Sequence, residues 1–260
     1  MRLIPIALAV VLGLAACAPT PQTAPAAPGK VVPAYYEART DSGPNGEPIQ
    51  IAAVKTAYLN ERTMRTNVPY NGPESAGTIV VDPFARVLYY VQPGGMAERY
   101  GVAVGAAGKN FAGNGTIARK AAWPSWTPTS NMVNSQPELY GPLKGGMAGG
   151  PDNPLGSRAL YLYQGGRDTY YRIHGTLDPS SIGKATSAGC IRMFNQDIID
   201  LFNRVPTGTT VHVRSQSESV SYEGPVRESP EGYAIPVNQM PAVTTTSAPA
   251  ASPVESAVRG

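Results

Sequence analysis

The chain has 260 residues, a formal net charge of +3 and only 15% charged side chains, with 28 Gly and 26 Pro. No long basic run occurs, which argues against a nucleic-acid partner, and 42% hydrophobic residues suffice for one folded core between weaker ends. With two His and two Cys, no cluster has metal-ligand spacing, and His174 with Asp178 makes at most half a site, so no metal and no cofactor is expected.

The first residues, MRLIPIALAVVLGLAAC, place Arg2 before an apolar run over 3–14 and the small pair Ala15-Ala16. This is the pattern of a signal peptide over 1–16, and the run is too short to span a bilayer. Leu14-Ala15-Ala16-Cys17 resembles the lipobox of bacterial lipoproteins, which implies lipidation at Cys17 and a membrane anchor; an ordinary signal peptide cut nearby is the alternative. Either way the protein is expected to be exported. Cys190 then remains as the one thiol of the mature chain, without an intramolecular disulfide partner.

Residues 17–46 are rich in Ala, Pro, Thr and Gly and read as a flexible tether; 47–76 form a lead-in of open role, with 49–62 as a helix or an irregular segment. Strands are expected over 78–81 and 87–91 around Asp82-Pro83, over 97–104, and in a pair turning at Gly165-Gly166 whose second member ends at His174. The Gly- and Pro-rich stretch 121–158 is long for an idle loop and suits a binding site. Ile198, Leu201, Phe202 and Val205 fall at i, i+3, i+4, i+7, which predicts one short helix stopping before Pro206. A last strand over 209–213 follows, and 215–260 reads as a disordered tail.

The chemistry concentrates in HGTLDPSSIGKATSAGCIRM, from His174 to Met193. A thiol attacks an acyl carbon as thiolate, and an imidazole can take its proton, so Cys190 and His174 form a candidate nucleophile and base. His212 alternates with Val211 and Val213 in a strand and is expected to face solvent. Gly189 before the nucleophile leaves room for backbone donors aimed at an oxyanion, a need that the turn Ser187-Ala188-Gly189-Cys190 fits. A small buried apolar Cys is the other reading of Cys190.

His174-Gly175-Thr176, Ser181-Ile182-Gly183, Ser187 and Gly189-Cys190-Ile191-Arg192-Met193 together resemble the active-site motif of the L,D-transpeptidase catalytic domain of YkuD type. GTIVVDPFARVLYYV resembles that domain's opening hairpin, and the likeness covers 77–214. The resemblance implies a mainly β fold, a sandwich or partly closed barrel, with one short capping helix after the Cys. It implies Cys190 as nucleophile, His174 as base, the Gly175 carbonyl as orienter of the imidazole, and backbone N–H groups of Ala188, Gly189 and Cys190 as oxyanion hole. Arg192 and Ser187 are expected at the substrate. Trp123 and Trp126 are placed either along the substrate groove or in packing of the loop onto the core. Many members carry His where this chain has Ala188.

The reaction so implied acts on peptidoglycan stem peptides: acylation by a tetrapeptide at meso-diaminopimelate with release of D-Ala, then transfer to an acceptor amine as a 3,3 cross-link. The same acyl-enzyme could instead attach an outer-membrane protein to the wall or be hydrolysed. A wall-binding lipoprotein without turnover is the reading from a different class. A periplasmic, lipid-anchored location at the outer membrane is expected, since Ala18 rather than Asp follows Cys17.

Overall fold

The computed structural model describes residues 32–105, 111–186 and 190–239. Cys17 and the segment before it, Ser187, Ala188, Gly189 and the stretch 240–260 lie outside the described residues.

The lead-in forms a hairpin of β1 (Arg39–Ser42) and β2 (Pro48–Ile51), then β3 (Thr66–Pro69). The next two strands are the β-branched and aromatic runs: β4 (Ile79–Asp82), buried at every position, and β5 (Val87–Gln92), joined by a turn in which Asp82 Oδ1 accepts from the N–H groups of Phe84 and Ala85. β6 (Met96–Gly101) and β7 (Ala103–Gly105) divide the strand expected over 97–104 at Val102. β8 (Gly113–Ala122), β9 (Arg158–Gln164) and β10 (Arg167–His174) form an antiparallel run, followed by β11 (Ala185–Thr186), β12 (Ile191–Arg192) and β13 (Thr210–Val213).

Eleven of these strands make one sheet in the order β11-β7-β12-β10-β9-β8-β13-β4-β5-β6-β3. β6 and β7 stand near opposite ends of that order, yet one residue, Val102, separates them in sequence. A flat sheet cannot satisfy both conditions, so the sheet rolls back on itself into the mainly β, partly closed form expected. Ile79, Leu88, Ile117, Leu160, Ile173 and Leu201 fill its interior, each buried side chain contributing on the order of 1.5–3 kcal/mol.

Among the described residues the helices number more than the single one expected. α1 (Ser130–Ser135), capped by Thr129, and α2 (Pro137–Tyr140) lie within the Gly/Pro-rich stretch. α3 (Asn195–Arg204) is the expected capping helix, burying Ile198, Ile199 and Leu201. α4 (Gln216–Glu223) opens on a capping box between Ser215 and Glu218.

Two boundaries differ from expectation. The tail beginning at 215 is ordered through α4 and a hairpin of β14 (Val226–Glu228) and β15 (Ala234–Pro236). Its polar side chains make tertiary bonds: Ser219 Oγ donates to Asp82 Oδ1 at 2.8 Å, Arg214 pairs with Glu223 at 2.9 Å, and Glu228 pairs with buried Arg86. Composition registers such residues only as polar. The tether is shorter than 17–46, because Tyr36 is fully buried against Phe194 and Asp41 bridges to Arg158 and Trp123. Of the two readings of 49–62, a helix or an irregular segment, the second holds: the stretch carries the end of β2 and a 3-10 turn at Thr56–Tyr58.

Candidate active site

Register brings the catalytic candidates together. β10 runs parallel to β12, with Ile173 beside Ile191 and His174 beside Arg192. Side chains alternate along a strand, so Ile173 and Ile191 enter the core while Arg172, His174 and Arg192 share the opposite face. Cys190 immediately precedes β12, the strand that pairs with the His174 end of β10.

His174 is 3% exposed, and its Nδ1 lies 2.6 Å from the Gly175 carbonyl oxygen. That contact requires Nδ1 to carry the proton, which leaves Nε2 as the basic nitrogen. Burial, with the Arg192 guanidinium second, lowers the imidazole to a pKa of about 4, against a raising influence from the Gly175 and Leu155 backbone. His174 is therefore neutral at physiological pH. Cys190 is half-buried as a residue; burial pushes the pKa of its thiol up, countered by the Arg172 charge, the Arg172 backbone and Arg192.

The turn after β10 is held by Asn195, the first residue of α3. Its Oδ1 accepts from the Ser157 N–H at 3.0 Å and its Nδ2 donates to the Thr176 carbonyl at 3.0 Å. The turn continues through Asp178, whose N–H donates to Thr176 Oγ1 at 3.0 Å and whose carboxylate accepts from Ser180. Asp178 thus caps a 3-10 turn and does not combine with His174.

Arg192, beside His174, makes no ion pair among the described residues. Trp123 is placed in the packing role: it is 5% exposed, packs with Ile49, Ile51 and Ile199, and donates its indole N–H to Asp41 at 2.9 Å. Trp123 also borders a cavity that it shares with Thr176, Leu177, Phe194 and Asn195, next to the turn after His174. Trp126 pairs its backbone with Met147 and sets its ring edge-on to Tyr140 at 6.1 Å, inside the Gly/Pro-rich loop. His212 contacts Asn114 at 2.8 Å and Glu218 at 3.0 Å, linking β13 to α4 away from the site.

Asn195, Arg172 and Asp168 were not singled out by the sequence reading. Asn195 resembles an ordinary helix start, and Arg172 and Asp168 resemble polar positions of an exposed strand. Only register and hydrogen bonding assign them to the site.

A cysteine at the start of one strand beside a tautomer-fixed imidazole at the end of its neighbour is the arrangement of the cysteine acyl-transfer class of site. Residues 76–213 match the family model of YkuD, the L,D-transpeptidase catalytic domain, and the chain belongs to that family. The probable L,D-transpeptidase ErfK/SrfK of Escherichia coli K12 is 37% identical over 142 residues, 54% of this chain and 44% of that one. A putative L,D-transpeptidase in the ATP synthase subunits region of Fuscovulum blasticum is 37% identical over 139 residues, 52% of this chain and 68% of that one. This chain spans less than half the length of the Escherichia coli relative. A solved Brucella melitensis chain described as a probable carnitine operon oxidoreductase is 49% identical, covering 59% of this chain and 96% of that one, with a TM-score of 0.43. A spatial overlap of that size carries no argument.

Proposed function

We propose that the protein is a peptidoglycan L,D-transpeptidase. The observation that supports this reading is that Cys190 directly precedes the strand paired with the His174 end of β10, while Nδ1 of the imidazole lies 2.6 Å from the Gly175 carbonyl oxygen.

In the first half-reaction the Cys190 proton passes to Nε2 of His174, and the sulfur attacks the carbonyl of meso-diaminopimelate in a tetrapeptide stem. The Sγ–C bond forms and the C–N bond to D-Ala breaks. The imidazolium returns its proton to the departing amine, leaving a thioester. Backbone N–H groups of Ala188, Gly189 and Cys190 serve as the oxyanion hole. In the second half-reaction an acceptor amine attacks the thioester, His174 takes its proton, and Cys190 is released, giving a 3,3 cross-link. Arg192, without an ion pair among the described residues, suits a stem carboxylate; Ser187, Trp123 and Trp126 are assigned to the substrate groove. Attachment of an outer-membrane protein to the wall, or hydrolysis, would use the same acyl-enzyme.

Export, lipidation at Cys17 and a periplasmic position at the outer membrane complete the proposal, supported by the Leu14-Ala15-Ala16-Cys17 sequence. Mass spectrometry after incubation with a carbapenem tests the nucleophile: a covalent adduct at Cys190, absent in Cys190→Ser, is expected. Failure of the wild type to take the label points to a wall-binding lipoprotein. Muropeptides from a deletion strain then separate the acceptors, since loss of 3,3 dimers, of protein-linked stems, or of neither gives different outcomes.

A further inference from the structure

We infer that Asp41, in the lead-in hairpin and outside the span 76–213 matched by the family model, is a positioning residue for the base. Its carboxylate clamps Trp123 and Arg158, the two ends of the Gly/Pro-rich loop, and the Arg158 backbone holds the turn that orients His174. This rests on His174 being the base of the proposed reaction.

The clamp is a closed set of hydrogen bonds. Asp41 Oδ2 accepts from the Trp123 indole N–H at 2.9 Å and from Arg158 Nη1 at 2.7 Å, while Oδ1 accepts from Arg158 Nη2 at 3.0 Å. Such a fork fixes orientation as well as charge. On the far side of the same pair, the Ser157 carbonyl accepts from the Trp123 backbone N–H and from Arg158 Nη1, both at 2.8 Å. Trp123 takes a φ of 43°, a left-handed backbone that costs a side-chain-bearing residue energy, so the entry to the loop is held and not merely preferred.

From the clamp the bonds continue to the base. The Gly175 N–H donates to the Arg158 carbonyl at 3.1 Å, and the Gly175 carbonyl faces His174 Nδ1 at 2.6 Å. Gly156 lies flat against the same turn, where a Cβ would collide with the Thr176 nitrogen and the Gly175 carbonyl carbon. Ile51 and Val54 of the lead-in stand across a cavity of about 210 Å³ from Thr176 and Leu177, and the Asp41 fork supplies a hydrogen-bonded link over that gap. Arg158 is 9% exposed, and Asp41 is its carboxylate partner among the described residues. Without that partner a buried guanidinium is left uncompensated; it must swing towards water, and the backbone that receives the Gly175 N–H moves with it.

The test uses the full-length protein and two readouts. Ring-nitrogen NMR reports the His174 tautomer, with His212, held by Asn114 and Glu218, as the internal reference; the rate of acylation at saturating carbapenem reports base function. Asp41→Asn keeps an acceptor for Trp123 but loses the charge that holds the Arg158 fork. It is expected to slow acylation about tenfold and to turn a single Nδ1–H tautomer of His174 into an exchanging mixture, with His212 unchanged. Asp41→Glu, which keeps both oxygens and the charge, restores both readouts. Tyr36→Phe is the control for loosening the lead-in elsewhere: it loses the hydroxyl bonds to Asp197 and the Arg65 N–H and lowers the melting temperature, but leaves rate and His174 spectrum as in the wild type. An Asp41→Asn variant with the wild-type rate and spectrum overturns the proposal, as does a Tyr36→Phe loss of rate equal to that of Asp41→Asn. Should Asp41→Asn fail to fold, Arg158→Lys, which keeps charge without the fork, decides: a mixed His174 tautomer supports the proposal and a wild-type spectrum sinks it. A wild type that takes no carbapenem at Cys190 defeats the nucleophile reading instead and leaves the spectral test standing.

Discussion

The Asn195 carboxamide occupies the space that a side chain on Gly175 would need: an ideal Cβ there falls far inside van der Waals contact with Asn195 Oδ1. The same oxygen accepts from Ser157, and Gly175 supplies the carbonyl that fixes the His174 tautomer. Steric exclusion, hydrogen bonding and base orientation therefore meet at one pair of residues.

Gly175→Ala must displace either Asn195 or its own backbone. Both movements disturb the His174 contact, so we predict a fall in acyl transfer of at least tenfold, on the order of 1.4 kcal/mol in the barrier. The loss should appear in the rate of carbapenem acylation, with the thermal melt lowered as well. An alanine variant that acylates at the wild-type rate would contradict this packing account.

Asn195→Ala removes the acceptor of the Ser157 N–H and the donor to the Thr176 carbonyl together. Leaving buried main-chain groups unpaired costs roughly 1–3 kcal/mol each, and denaturant midpoints should drop accordingly. Asn195→Asp retains the acceptor but loses the donor and is expected to fall between wild type and alanine.

His174 and Asp197 give opposite pH dependences. His174 has a pKa of about 4 in the folded chain against 6.5 for the free side chain, so the unfolded state binds the proton first as pH falls. The stability due to its burial as a neutral ring is intact above pH 6.5 and declines between 6.5 and about 4, by about 3 kcal/mol. Asp197, fully buried in the first turn of α3, is raised by burial to about 8, with Arg65 opposing. Its folded-state advantage is complete below pH 3.8 and is lost as pH rises towards 8. His174→Asn should flatten the acid side of a stability–pH curve measured by urea unfolding. Asp197→Asn, which keeps an acceptor for the Tyr36 hydroxyl, should flatten the other.

Truncation after Gly224 tests the C-terminal hairpin. Arg86 Nη1 donates to the Gly232 carbonyl at 2.6 Å, and the Ala234 N–H donates to the Gly183 carbonyl at 3.3 Å, so β15 braces the segment that leads to Cys190. Removing it leaves Arg86, which is 3% exposed, without its Glu228 partner. The expected result is a lower melting temperature and slower acylation of Cys190 in the fraction that remains folded. Unchanged melting and labelling would mean that the hairpin is ornamental.

The β4–β5 hairpin, the β9–β10 pair, α3 and the Cys190/His174 motif could be read from the chain because their signals are local. Alternating β-branched residues, turn pairs at Asp82-Pro83 and Gly165-Gly166, and a 3.6-residue apolar period each act within one element. β8 was hidden: GNGTIARKAA offers one large apolar side chain, and it is a strand because β9 and β13 supply partners on both sides, with Gly115 admitting Leu162 and Tyr163 closely. The ordered segment after 215 was hidden for a similar reason, since Ser, Glu and Arg stabilise structure only through distant partners such as Asp82 and Arg86.

By itself the sequence determined which residue can be a nucleophile and which can be its base, because thiol and imidazole chemistry belongs to the side chain. Only the tertiary structure decided the environment that tunes them. Parallel pairing of Ile173 with Ile191 places Arg192 beside His174 and sets the start of β12, which Cys190 precedes, next to the end of β10. Electrostatic influence depends on distance and burial, and neither exists until the sheet has rolled and its register is fixed.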